Sequence, residues 1–470
     1  MNGGYERIFN GAEGVDGIMA NDAIKEASGT FEALEKLLDG RVENYEIFFS
    51  GESGIGVEVR GGSVDALKVR KSAGVGLRII SKGRPGFGFS SVLSSDALKD
   101  MVDKTIKASS VASEDNYLAF PGAAPASVSE SLQVFDDSFG EAAEEEKIGR
   151  AMKIEESAKA FDNRVKSVRK ASYQESVIST RIVNSSGMDI RHSATFFSGS
   201  VTAVAGDDNE SQMGWDMDTS HKRSSIDPDR IGKGAARNAV RMLGAKKIGS
   251  MKCPAIIENT VACELLEALA SSFLGDNVEK GKSMLIGKAG KKIASAALNI
   301  WDNGVLPGGW AASLFDGEGY PRKKTPLVIE GVFDGYLYDT YWAARAGAKS
   351  TGNASRGSFK GVPGIGISNL YIEKGGKTFT DLLKEVGEGL FITEVMGAHT
   401  INTISGDFSL GAAGFRVEGG EAAYPVRGMA ISGNLLRLFE RVGSCGEDIR
   451  FIGSIGAPSL FVHEIEASGS

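Results

Sequence analysis

Cysteine, proline and histidine are all scarce in this chain, and each scarcity closes off a class of protein. Only three cysteines occur in 470 residues, Cys253, Cys263 and Cys445, and they form neither a metal-ligand nor a disulfide pattern. The 11 prolines come with no repeat period and no low-complexity block, so collagen-like and disordered architectures are poor explanations. The four histidines, His192, His221, His399 and His463, are scattered, and His399 reads more simply as a structural or surface residue than as a ligand. No apolar run nears the ~20 residues of a membrane span, and the opening MNGGYERIFNGAEG lacks a signal-peptide core. A basic stripe is missing too. Net charge is −8, and the runs Arg322-Lys323-Lys324 and Lys291-Lys292 are short and sit beside Pro or Gly, as solvated turns do. The expectation is a cytoplasmic protein with no membrane and no direct nucleic-acid contact.

What is abundant is glycine, 62 residues of 470, nearly twice the ~7% average. Such an excess fits a β-rich protein with many turns, and the length allows two or three domains. Residues 1–40 read as a flexible lead-in, although 31–38 carry a short helical pattern. Alternating or apolar segments at 45–50, 55–60, 63–70, 74–81 and 86–91 predict an antiparallel meander, followed by a helix capped by Ser94 or Ser95. Residues 116–131, rich in Pro, Ala and Ser, are the linker candidate. A helix over 141–161, strands from 165 to 205 and a helix opened by Asp227-Pro228 repeat the block. Strands and helices in blocks predict an α+β fold, with an N-terminal α+β domain over 41–245 and a β-rich C-terminal domain over 250–470.

The most distinctive stretch is residues 389–427. Apolar, β-branched segments there are broken at Ser405-Gly406-Asp407, Gly411-Ala412-Ala413-Gly414 and Glu418-Gly419-Gly420-Glu421, as turns would break them. This reads as a strand, a glycine-dense crossing and a hairpin, where small residues let another backbone come close. A hairpin is also predicted over 332–336. Several chemical motifs fail on inspection. Gly281-Lys282-Ser283 imitates the end of a P-loop, but Asp276 stands where its first glycine belongs. Gly364-Ile365-Gly366 and Gly74-Val75-Gly76 lack the helix of a dinucleotide site, and no Gly-x-Ser-x-Gly elbow exists.

The segments GLFITEVMG and SGDFSLGAAGFRVEGGE resemble the C-terminal core of the TldD/PmbA family, the modulators of DNA gyrase, and within it the PmbA (TldE) branch. The catalytic TldD branch carries a His-Glu-x-x-x-His zinc motif on a helix corresponding to residues 260–274. Gly275-Asp276, Gly281 and Ser283 match that branch's spacing and place the motif on residues 266–271. There Glu267 keeps the glutamate position, while Leu266 and Ser271 replace the histidines. Zinc needs several N, S or O donors, and leucine has none. Cys445-Gly446 resembles the family's third-ligand Cys-Gly, one residue out of spacing. The resemblance therefore implies a lost metal site, no catalytic residue and no cofactor in this chain. The plainer reading of the same helix agrees: Val261, Leu265, Leu266, Leu269 and Phe273 make a core stripe.

Thr351, Gly352, Asn353 and Arg356 resemble the family's Thr-Gly-Asn loop, and residues 316–319 resemble its Asp-Glu-Gly turn. Such a loop could hydrogen-bond an extended peptide or simply cap neighbouring strands. The resemblance implies that Thr351, Gly352, Asn353, Arg356, Gly406 and Gly414 line a path for small unfolded peptides. It implies a cytoplasmic metallopeptidase in which a TldD-like homologue supplies the zinc and this chain, as heterodimer partner, forms the other wall; a homodimer is the alternative pairing. Two further readings stand beside it. One is a self-sufficient peptidase using Cys263, Glu267 and Cys445, and the other is a non-enzymatic regulator of DNA gyrase.

Overall fold

The computed structural model describes residues 28–122, 131–206 and 210–469, and the fold is α+β. The N-terminal half is one antiparallel sheet in the order β3-β2-β1-β4-β5-β6. Its strands are β1 (Asn44–Arg60), β2 (Ser63–Ser81), β3 (Arg84–Ser90), β4 (Val165–Asn184), β5 (Asp189–Gly206) and β6 (Ser211–Ser220). These strands are longer than the pattern predicts, because glycines inside them mark close approach rather than turns. A Cβ on Gly54 would lie 2.6 Å from the Cβ of Ser176 on β4, so glycine is what lets β1 run unbroken through Gly51–Gly54.

Among the described residues four helices cover one face of this sheet: α1 (Ser28–Leu38), α2 (Ser95–Val111), α3 (Glu144–Ala160) and α4 (Pro228–Val240). Ser94 caps α2 by accepting from the Ala97 amide, and Asp227 caps α4 by accepting from Asp229 and Arg230. Helix α1 corrects the expected lead-in over residues 28–38. Phe31, Leu34 and Leu38 stand on one helical face and are buried against Ile47, Phe49 and Leu77. The remainder of the lead-in before residue 28, and the linker over 123–130, lie outside the described residues.

The C-terminal half holds β7 (Met251–Ile257), β8 (Ile300–Asn303), β9 (Lys324–Ile329), β10 (Val332–Phe333), β11 (Ala354–Ser355), β12 (Gly364–Ile365) and β13 (Leu370–Ile372). It continues with β14 (Gly389–Met396), β15 (Asp407–Glu418), β16 (Glu421–Asn434), β17 (Val442–Cys445), β18 (Arg450–Ile452), β19 (Ile455–Ala457) and β20 (Leu460–Ser468). One sheet runs β16-β15-β14-β7-β20-β17, and β16 also pairs with β20, which closes five of these strands into a barrel. A second sheet runs β10-β9-β8-β13-β19-β18. Helix α5 (Asn259–Ala270) joins the core they share, with Leu265, Leu266 and Leu269 packed among Ile300, Leu370, Ile392 and Leu410.

Two turn expectations change here. The glycine-dense crossing at Gly411–Gly414 is the middle of β15, whose register with β16 slips between Ala412 and Gly414 in a bulge. The hairpin expected at 332–336 instead turns at Glu330-Gly331, between β9 and β10, with Gly331 at φ 79°. The other face of the N-terminal sheet, which carries none of these helices, is partly covered by loops of this half. Phe359 packs with Phe48, Ile182 and Met188, and Ala312 packs with Leu132 and Ala194.

Candidate functional site

Helix α5 leaves β7 at Glu258, whose amide donates to the Ile392 carbonyl of β14 at 2.9 Å. This anchors the helix on the barrel and decides which side chains face inward. Leu266 is fully buried, whereas Glu267 is exposed. Ser271 begins a 3-10 turn, and its buried hydroxyl has no partner among the described residues. Cys445, at the end of β17, is buried, and its Sγ–H points to the Ala297 carbonyl at 3.6 Å. Burial pushes its thiol up to about 12, and burial does the same to Cys263. Among the described residues no three His, Cys, Asp or Glu side chains are grouped as a metal requires, so Cys263, Glu267 and Cys445 do not come together. A leucine side chain, a lone hydroxyl and a protonated thiol do not fit zinc.

Two carboxyls beside Glu267 escaped the motif reading. Burial, then Glu267 and Glu394, push the Glu264 carboxyl up to about 7, and burial raises Glu394. No sequence signal marks Glu264. Its environment is made by β14, 130 residues further along the chain. Glu394 also lines a cavity of about 290 Å³ where β6 and α4 meet the C-terminal half. That cavity carries charge of both signs: Arg230 pairs with Asp216 at 3.2 Å, Arg241 with Glu258 at 3.1 Å, and Arg450 with Asp216.

The loop holding Thr351, Gly352, Asn353 and Arg356 is occupied from within. The Asn353 amide donates to Asp302 Oδ2 at 2.7 Å and to the Gly366 carbonyl at 3.1 Å, and its Oδ1 accepts from Thr351 Oγ1 at 2.6 Å. Asn353 and Gly352 are both buried, and Gly352 sits at φ 78° against the Pro321 carbonyl. Arg356 crosses to the N-terminal sheet, where it pairs with Glu46 and lies over the Phe48 ring at 4.3 Å. Arg78 extends the chain of charges, 3.3 Å from Glu46 and 3.2 Å from Glu318.

Gly406 is a turn residue at φ 83°, its amide donating to Asn402 and its carbonyl accepting from Leu435. Gly414 is buried, and the backbone that comes close to it is β14: an added Cβ would lie 1.9 Å from the Phe391 carbonyl oxygen. The hydrogen-bonding groups of Asn353 and Gly406 and the close approach at Gly414 are used inside the chain in this conformation. The positions of residues 316–319 and 351–356 do meet: the Gly317 amide donates to the Ala354 carbonyl at 2.8 Å.

Three family models match in sequence order. They are the PmbA/TldA metallopeptidase domain 1 over residues 45–109, the central domain over 137–243 and the C-terminal domain over 250–469. The chain is 30% identical to the metalloprotease PmbA of Escherichia coli O157:H7, across 95% of this chain and 96% of that one. It is 28% identical to a metalloprotease PmbA homologue of Buchnera aphidicola, across 90% and 93%. A solved Thermotoga maritima protein, named as a candidate modulator of a DNA gyrase, superposes with a TM-score of 0.86 at 28% identity, over 94% of this chain and 99% of that one.

Proposed function

Because the chain belongs to the TldD/PmbA family of metallopeptidases, we propose that it is the subunit of a cytoplasmic peptidase pair that has no zinc site of its own. In this reading a TldD-like homologue holds the metal and the water-activating carboxylate. This chain, associated with that homologue or with a second copy of itself, walls the space where a small unfolded peptide lies. Leu266 carries the reading: the position that resembles a zinc histidine is fully buried apolar core. Glu267 then has no metal-bound water to act on, so its family role as a base is vacant. The charged cavity beside α5 offers both donors and acceptors, the groups that an unfolded peptide backbone needs whatever its sequence.

The test is metal quantification on the chain purified from its native host, with the co-purifying proteins identified. The expected result is a zinc-bearing homologue in the same fraction, and far less than one zinc per chain once this chain is separated from it. About one zinc bound to the isolated chain after mild chelation overturns the reading. The gyrase role named for the Thermotoga relative is separated by the same purification: gyrase subunits in place of the homologue favour it.

A further inference from the structure

A cavity of about 270 Å³ lies between the other face of the N-terminal sheet, opposite α1–α4, and the segments around residues 310–317 and 354–356. Much of its wall is apolar and aromatic, including Phe196, Trp310 and Phe315, with the Phe196 and Trp310 rings 4.8 Å apart. Two arginines line it as well. The Arg356 side chain is only 2% exposed. Its Nη2 pairs with Glu46, but its Nε and Nη1 find no acceptor among the described residues. Arg322 gives Nη1 to the Ala311 carbonyl at 2.7 Å, and its Nε is likewise buried without an acceptor.

The two carboxyls near Arg322, of which Asp316 also lines the cavity, make their hydrogen bonds to other groups. Asp316 accepts from the amides of Glu318, Tyr320 and Ala354, and Asp302 accepts from Ser368 and Asn353. Burial, with Arg322 and His221 beside it, holds the lining His192 down at about 4, so this imidazole is neutral at neutral pH. Buried guanidinium N–H groups without acceptors are costly, and in native proteins such groups point to a water, an ion or a ligand. Two guanidinium groups in an apolar, aromatic-walled cavity have the chemistry to hold a planar carboxylate on a non-polar body.

We infer that this cavity binds the carboxylate of a small apolar or aromatic acid, with Arg322 and Arg356 taking the anion and the aromatic walls covering the body. The acid can come from a free metabolite or from the last residue of a peptide. The second source rests on the peptidase reading; the site itself does not. Water alone in the cavity is the competing account.

The experiment is calorimetric titration of the full chain at neutral pH with N-acetyl-L-phenylalanine, with its C-terminal amide, and with a tetrapeptide ending in a free phenylalanine. The acid should bind at least tenfold tighter than the amide, and Arg322→Met should weaken the acid at least tenfold while keeping the unfolding temperature. If that variant does not fold, the comparison of acid with amide on the unaltered chain still decides. Binding of the tetrapeptide identifies the peptide source, and binding of the blocked amino acid alone identifies the free acid. Equal binding of acid and amide, or no binding of either, overturns the inference. Zinc stoichiometry and pairing do not enter this readout, so its failure is distinguishable from failure of the peptidase reading.

Discussion

Thr351 and Asn353 spend their polar groups inside the chain, whereas α5 leaves Glu267 in solvent and Glu264 half-buried beside other carboxyls. Both places resemble a family motif, matched in the loop and departed from on the helix at Leu266 and Ser271. The loop is tied into architecture: Asn353 holds β8 through Asp302, and Arg356 reaches the other half of the molecule. The helix needs only to pack, and a leucine at 266 does that well, since burying such a side chain stabilises by ~1.5–3 kcal/mol. Leucine at 266 adds to the core, while a loop residue with three partners cannot be replaced without loss.

The sharpest way to break this comparison is at Gly414. Gly414→Val puts bulk on the Phe391 carbonyl and must part β14 from β15, so we expect a loss above ~4 kcal/mol or no soluble protein, read by denaturant unfolding. Gly411→Ala, on the same strand, meets mainly the flexible Met396 side chain and should cost far less. Equal tolerance of both would mean that β14 and β15 are not paired as described. Next in size is Arg356→Met, which leaves Glu46 buried with Arg78 alone. Breaking a buried pair costs ~3–5 kcal/mol, and the retained Arg78 places this variant at the lower end. Asn353→Ala removes one hydrogen bond each from Asp302, Thr351 and the Gly366 carbonyl and should cost ~1–3 kcal/mol, a net hydrogen bond being worth ~0.5–1.5 kcal/mol. A substitution there that changes peptide affinity but not stability would place the loop on the peptide path.

The elements were largely legible, because helix signals are local. Ser94 and Asp227-Pro228 each cap the helix that follows, and Glu418–Glu421 is a hairpin end with its Gly-Gly turn. Glycine was legible in number but not in meaning. Gly54 and Gly414 sit inside strands because a neighbour approaches, and Gly406 sits in a turn because φ is positive; the three look alike in sequence. Strand β6 gave no clear alternation, having Asp216 and Asp218 on a strand whose partners lie on α4 and β18. Site chemistry was the least legible part. Glu264, Arg322 and Arg356 owe their environments to segments far away in the chain, and no local pattern encodes a missing acceptor.

The smallest effect separates two glutamates three residues apart. Burial and the neighbouring Glu267 and Glu394 hold the folded Glu264 carboxyl at about 7, against ~4.3 for an unperturbed glutamate. Between about pH 4 and 7 the unfolded chain gives up this proton while the folded chain keeps it, so rising pH costs the fold stability across that window. Below it the two states bind the proton alike, and above it the penalty is complete. Glu264→Gln removes the titration. The variant should match the parent near pH 4, gain on it as pH rises, and lead by about 1–2 kcal/mol at pH 8 in denaturant unfolding. Glu267→Gln, at an exposed position, should stay within ~0.5 kcal/mol of the parent at every pH. By removing one like charge, it should also lower the midpoint of Glu264, which NMR titration of the side-chain carboxyl can read. A Glu264→Gln variant that tracks the parent across the whole range would mean that this carboxyl is ordinary, and the contrast between a saturated loop and a strained helix edge would lose its second half.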